Sequence, residues 1–317
     1  MKPRIILTIG DPNGIGPEII LKIISSDLSK KYFIKVIGPK KVFDYYSVIL
    51  ELPEINPENL INISGYDSFR ITPGKISALA GRISGDSIKL AVELCKRKEY
   101  DALVTLPISK EALNLGGYLF PGHTEMLDFY THSNTAFMIM CCNNLRIANA
   151  TNHLPLNEIS RIITKRFIRN KIIQLNNILV SEFKIYKPKI SVLSLNPHNG
   201  DGGLLGKEEQ RNILPIINEL QREGLNVHGS FASDSYFANQ LYKNFDVTLA
   251  IYHDEGLIPF KMLSKNKGVN YTGGLDIIRT SPAHGTAFDV AGKGVADIES
   301  TVAAIKLAVK LNKAKLK

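Results

Sequence analysis

Val247-Thr248-Leu249-Ala250-Ile251 runs directly into Tyr252-His253-Asp254-Glu255-Gly256-Leu257-Ile258-Pro259-Phe260-Lys261. The first five residues carry no charge and read as a buried strand. The ten that follow then stand at its mouth, in one loop holding a His, two carboxylates and a Lys. Open α/β sheets place their chemistry at such strand ends.

Two more histidines occur in the same setting. His153 lies in Thr151-Asn152-His153-Leu154-Pro155 after the apolar-rich Ala136–Ala150, and His198 in Asn196-Pro197-His198-Asn199-Gly200 after Ile190–Leu195. Three strand-mouth imidazoles suggest a three-ligand metal site with positions open for water or substrate, the pattern of a catalytic metal. No HxxxH or CxxC spacing fixes their geometry, so a histidine that only satisfies a local backbone group is the competing reading for each.

Strand-like runs at Ile5–Ile9, Phe33–Ile37, Leu60–Ile63 and Ala102–Thr105 alternate with helical patterns at Lys40–Leu50 and Ala78–Lys98. This alternation predicts an α/β fold with a mostly parallel sheet covered on both faces. Gly10-Asp11-Pro12-Asn13-Gly14-Ile15-Gly16 separates the first strand from a helix opened by Pro17-Glu18. It spells neither GxGxxG nor GxxxxGK[ST], so a phosphate cradle and a plain tight connection stand level. Further helices are expected at Leu156–Phe183, Gly206–Gly224 and Ala296–Leu311, with Gly200-Asp201-Gly202-Gly203 as a mobile site loop.

Two other places carry chemistry. His123 and Thr124, in Pro121-Gly122-His123-Thr124-Glu125, either hold a polar substrate group or are an exposed His beside a capping Thr. Arg279, after Ile277-Ile278, is either a fork for phosphate or carboxylate or half of a surface ion pair.

Composition narrows the classes. The 317 residues are 44% hydrophobic and 22% charged, an ordinary globular balance, and the formal charge is +9. Lys and Arg are dispersed without aromatic interleaving, which argues against nucleic acid and leaves anionic small molecules to explain the surplus. No 18-residue apolar span exists, and Ile5–Ile9 is too short for a signal-peptide core, so no membrane role is expected. Cys95, Cys141 and Cys142 form no disulfide framework, and a reducing, cytoplasmic compartment is expected.

Taken together, Gly10–Glu18, Gly122–Glu125, His153, Asn196-Pro197-His198, Tyr252-His253-Asp254, Gly268-Val269-Asn270 and Ile278-Arg279-Thr280-Ser281 resemble the 4-hydroxythreonine-4-phosphate dehydrogenase family, in order and nearly end to end. The resemblance implies an isocitrate/isopropylmalate dehydrogenase-like fold, two α/β lobes around a cleft. Residues 1–135 with 270–317 would form the cofactor-binding lobe, and 136–269 the lobe of metal ligands and dimer interface. It implies a homodimer in which His153 and His198 bind a divalent metal (Zn, Co or Mg) together with a His253 from the second subunit. On the same basis His123, Thr124, Lys261, Asn270 and Arg279 contact the substrate, and Lys261 and His253 are catalytic. The stretch from His284 to Gly294 resembles the adenosine-binding loop of isopropylmalate dehydrogenases, which marks His284, Gly285, Asp289 and Gly292 for cofactor. Asp289 would accept from ribose hydroxyls and repel a 2′-phosphate, favouring NAD over NADP. Glu255 stands where many relatives are expected to carry glutamine; it would tighten metal binding or pair with Lys261. The implied activity is NAD(P)-linked oxidative decarboxylation of 4-phosphohydroxy-L-threonine in pyridoxine 5′-phosphate biosynthesis. A related dehydrogenase acting on erythronate or threonate phosphate is the alternative.

Overall fold

The computed structural model describes residues 2–315. The chain divides into two compact units, Met1–Ala136 with Val269–Lys317, and Phe137–Gly268. Met1, Leu316 and Lys317, which the expected terminal lobe includes, lie outside the described residues.

The first unit begins with β1 (Arg4–Thr8), α1 (Gly16–Ile24), α2 (Asp27–Lys31), β2 (Phe33–Gly38), α3 (Lys40–Leu50), β3 (Leu60–Asn62), α4 (Ala78–Lys96), β4 (Ala102–Thr105), α5 (Lys110–Leu115) and α6 (His123–Thr131). The second unit follows with β5 (Phe137–Cys142), β6 (Leu145–Asn149), α7 (Leu156–Ile162), α8 (Lys165–Ser181), β7 (Ile190–Leu193), α9 (Leu214–Arg222), β8 (Val227–Phe231), α10 (Ser233–Ala238), β9 (Val247–Ala250) and α11 (His253–Ser264). The chain then returns to the first unit through β10 (Val269–Gly273), β11 (Arg279–Pro282) and α12 (Glu299–Lys315).

In the first unit the strands lie in the order β3-β2-β1-β4-β11-β10, every neighbouring pair parallel except β11 with β10. In the second the order is β5-β6-β9-β7-β8, parallel except for the β5/β6 hairpin. All four residues of β4, β7 and β9 are buried. That explains why these strands are nearly continuous apolar runs and not alternating ones.

The helices bury one stripe each. On α4 the buried Ile83, Ser84, Ser87, Ile88, Ala91, Val92 and Cys95 recur at three- and four-residue spacing, the period of one helix face. Each buried aliphatic side chain there contributes roughly 1.5–3 kcal/mol. Gly81 lets α5 approach, since a Cβ on it would stand 1.7 Å from the Ala112 carbonyl oxygen.

Several expected boundaries shift for identifiable reasons. Leu156–Phe183 is two helices, because Thr164 stops one and caps the next by accepting from the Phe167 amide. In Gly206–Gly224 the helix opens with a wide π turn, Glu209–Ile213, ahead of Pro215, which has no amide hydrogen to give. The C-terminal helix is Glu299–Lys315, later than the expected Ala296–Leu311. Most relevant to the site, Tyr252–Lys261 is not a loop: α11 starts at His253, with Asp254 and Glu255 in its first turn complementing the positive helix end. Among the described residues no helix is long and apolar enough to cross a membrane.

Candidate functional site

In the second unit the parallel strands β6, β9 and β7 are neighbours, so their C-terminal ends lie along one edge. His153 follows β6, His253 follows β9 and His198 follows β7. The rings of His153 and His253 sit 5.5 Å apart, centre to centre. Two imidazoles bound to one ion through nitrogens about 2.1 Å from it have ring centres roughly 5 Å apart, so within one chain this pair is already close enough to share an ion, whereas the resemblance implies a His253 from the second subunit. His253 Nδ1 is 2.7 Å from Asp254 Oδ1, the carboxylate–imidazole contact that orients a ligand ring and leaves Nε2 outward. Among the described residues of one chain, no group of three His, Cys, Asp or Glu side chains is arranged to hold a metal.

His198 sits in an unusual turn. Residues His198, Asn199, Gly200, Asp201 and Gly202 all have positive φ, from 42° to 74°. This left-handed run costs on the order of 1 kcal/mol for each non-glycine member. The expected loop at Gly200–Gly203 is thus the second half of a tight left-handed turn within Pro197–Gly203.

Glu255 turns inward. One oxygen accepts the Ile251 amide at 2.5 Å, and the other accepts from the Ser233 hydroxyl. Burial pushes its carboxyl up to about 7. Pairing with Lys261, one of the two readings of Glu255, is absent from the ion pairs of the described residues: Glu255 is buried at the start of α11, and Lys261 is exposed six residues on, about 9 Å of axial rise away.

The first unit holds a buried cation. Arg279 is 1% exposed, and its guanidinium donates to Thr105 Oγ1 (Nε 3.1 Å, Nη2 2.6 Å) and Thr272 Oγ1 (Nη1 2.8 Å). Among the described residues no carboxylate forms an ion pair with it, which removes the surface-pair reading. Burial pushes its pKa down to about 9, so it remains a cation at neutral pH. His123 opens α6, and its Nε2 is sealed from solvent without a partner. Burial, then the charge of Arg279, holds the imidazole well below its usual pKa, so it is neutral. Thr124 caps nothing: Gly122 is the N-cap. Asn270 Oδ1 is also buried and unpartnered. A desolvated guanidinium with only hydroxyl acceptors is suited to binding an anion.

The Gly-rich segment proves to be a connection. The amides that a phosphate would use are taken: Asn13 N–H by Asp11 Oδ1, Gly14 N–H by the Asp11 carbonyl and Ile15 N–H by the Thr286 carbonyl. Buried Glu18 accepts from the Ala296 amide and from Lys22, which also donates to the Gly294 and Ala296 carbonyls. Residues 10–22 therefore anchor the 284–296 segment. In that segment His284 Nε2 is buried and unpartnered, a Cβ on Gly285 would meet nothing within 4 Å, and Asp289 is exposed. An orphan imidazole nitrogen, open space at Gly285 and an exposed carboxylate in one segment are chemistry that fits a dinucleotide's polar groups.

The family model for "Pyridoxal phosphate biosynthetic protein PdxA" matches residues 26–308. The chain belongs to the PdxA family. It is 39% identical to the 4-hydroxythreonine-4-phosphate dehydrogenase of Bacteroides thetaiotaomicron, over 97% of this chain and 88% of that one. A relative from Oceanobacillus iheyensis, provisionally named a D-threonate 4-phosphate dehydrogenase, is 36% identical over 98% of both chains. Among solved structures, the 4-hydroxythreonine-4-phosphate dehydrogenase of Klebsiella pneumoniae superposes with a TM-score of 0.87 at 33% identity, covering 98% of each chain.

Several residues that hold the candidate groups, each within its own unit, escaped the reading of the sequence. Asp11 is fully buried with Oδ2 unpartnered, and burial pushes it up to about 6. Thr105 and Thr272 hold the guanidinium, and Ser233 holds Glu255. Asp11 had one signal, a carboxylate between glycines at a strand end; the hydroxyls had none, because Thr is at home in any strand.

Proposed function

We propose that the chain is a 4-hydroxythreonine-4-phosphate dehydrogenase. It would oxidise 4-phosphohydroxy-L-threonine at C3 with NAD and release carbon dioxide, giving 3-amino-2-oxopropyl phosphate on the way to pyridoxine 5′-phosphate. The observation that carries this reading is Arg279, a buried cation without a carboxylate, beside a neutral imidazole with an open Nε2.

Arg279 and His123 would grip the anionic end of the substrate, with Thr124 and Asn270 orienting its polar groups. The guanidinium supplies charge and a planar fork; the neutral His123 supplies one hydrogen bond without adding a second buried charge. His153, His198 and His253 would hold a divalent ion (Zn, Co or Mg), and His284, Gly285, Asp289 and Gly292 the NAD. When bound, the ion acidifies the C3 hydroxyl and polarises the C3 carbonyl, while the nicotinamide accepts the hydride. Lys261 would serve in proton transfer or carbonyl polarisation, and His253 would act both as ligand and in orienting C3.

A homodimer is part of the proposal. It is supported by the exposed Leu154, Leu156, Leu204, Ile258, Met262 and Leu263, apolar side chains clustered in sequence around the three histidines. The division of labour is the one that the resemblance implies: residues 1–135 with 270–317 bind cofactor, and 136–269 carry metal ligands and the dimer interface. A cytoplasmic enzyme agrees with three cysteines outside any disulfide.

The similarity to a relative provisionally named for D-threonate 4-phosphate favours a second reading, oxidation of that acid at the same site. Initial NADH formation on the two phosphorylated substrates, with Zn, Co or Mg supplied, separates them. NADH from neither substrate refutes both. His153→Ala is expected to abolish turnover and leave a folded dimer; full activity in that variant removes the metal assignment.

A further inference from the structure

His198 is held in a backbone conformation that its own sequence disfavours, so some other group must select it. Glu209, 1% exposed, is that group. Its Oε1 accepts the amides of Leu195 and Asn196, both at 2.8 Å, and its Oε2 accepts Asn196 Nδ2 at 3.0 Å. Gly200 rests on the same carboxylate: a Cβ there would stand 2.8 Å from Glu209 Oε2. The neighbouring Glu208 ties the outer side, accepting from Asn196 Nδ2 at 2.8 Å and from Ser160 Oγ at 2.6 Å.

We propose that Glu209 is the positioning residue for His198, its carboxylate clamping the amides that enter the left-handed turn and leaving space beneath it for glycine alone. Three donors converge on one side chain, and only an acceptor-only group satisfies them all; a glutamine would turn its NH2 onto either the amides or the Asn196 NH2. Glu209 opens the π turn, which places its carboxylate under the turn carrying His198. The inference rests on the proposed role of His198 as a metal ligand.

The parent chain, E209Q and the comparator E219Q are to be compared by amide hydrogen exchange and by Co²⁺ titration followed in the visible spectrum. For E209Q, exchange at residues 195–203 is expected to rise roughly 10–100-fold, the loss of a charge-assisted hydrogen bond, with the rest of 137–268 unchanged. Its Co²⁺ affinity is expected to fall roughly 10–100-fold and kcat to fall with little change in KM, whereas E219Q, at a surface carboxylate of α9 paired with Arg169, stays close to the parent. Unchanged exchange at 195–203, or acceleration spread evenly over the unit, overturns the proposal. So does local acceleration with parental Co²⁺ affinity. A parent chain that binds no Co²⁺ refutes the metal reading instead, and the exchange pattern alone then decides the clamp. Should E209Q not fold, Gly200→Ala presses a methyl group onto the same carboxylate and is expected to reproduce the local changes.

Discussion

Replacing Arg279 with methionine separates the two properties assigned to it, because a residue kept for anion binding and one kept for stability respond in opposite directions. Arg279 is fully buried with hydroxyl acceptors only, and burial lowers its pKa to about 9. A depressed cation costs the folded state, and the cost is present in full below about pH 9, hence at neutral pH. The size of the depression corresponds to on the order of 4 kcal/mol. Methionine of similar length removes that cost but leaves the hydroxyls of Thr105 and Thr272 without their donor, roughly 1 kcal/mol each. The net expectation is about 2 kcal/mol of added stability, a rise in Tm of roughly 4–8 °C. Activity moves the other way. Losing two charge-assisted bonds to a phosphate removes roughly 3–6 kcal/mol, at least about a hundredfold in kcat/KM. Differential scanning calorimetry of the ligand-free chain and NADH formation at limiting substrate measure the two. A fall in Tm of several degrees, or kcat/KM within tenfold of the parent, refutes the assignment of Arg279 as an unpaired anion anchor.

Glu255 and Asp11 both have carboxyls raised by burial, to about 7 and about 6. Their protonated forms are favoured in the folded state, so the unfolding free energy is expected to fall as pH rises from 5 to 8. Glu255→Gln, which can still accept from Ile251 and donate to Ser233, should remove roughly 3 kcal/mol of that fall in denaturant titrations at the two pH values. Gly256→Ala places a Cβ 2.2 Å from Asn149 Oδ1 and 3.0 Å from the Ala250 Cβ; a loss of roughly 1–3 kcal/mol is expected by the same titration. Asp289→Asn should raise the KM for NAD about tenfold with kcat little changed, and narrow the preference over NADP, as initial rates with each cofactor will show.

The α/β class and the strand-mouth placement of His198 and His253 were legible because β7 and β9 are buried on both faces and so are nearly continuous apolar runs; β6 carries Arg146 and Asn149, and His153 was placed only by the apolar-rich stretch before it. The conformation at those mouths was not. His253 begins a helix, and His198 sits in a left-handed turn, because long-range groups decide both: Glu255 reaches back to Ile251 and across to Ser233, and Glu209 reaches back to Leu195 and Asn196. Periodicity is blind to a carboxylate that works ten or more residues from where it stands in the chain. For the same reason the Gly10–Gly16 segment was ambiguous. Its amides are occupied by Asp11 and by Thr286, and the second of these lies 271 residues along from Ile15. Arg279 looked alike in either role from sequence, since an apolar flank precedes surface and buried arginines equally.

Three ionisable groups whose pKa burial shifts share one setting. Asp11 follows β1, Glu255 follows β9, and Arg279 is held by Thr105 at the end of β4. A core selected for stability alone would replace each with an apolar or amide side chain and gain a few kcal/mol, as buried ion pairs exchanged for hydrophobic groups do. Their concentration at strand ends is what binding and catalysis require and packing does not. Arg279→Met and Glu255→Gln must therefore each raise stability near neutral pH, and the former must do so at the expense of turnover. If either were to weaken the fold at pH 8, the charge concerned would have to be counted as structural, and the inference from buried cost to function would fail at that residue.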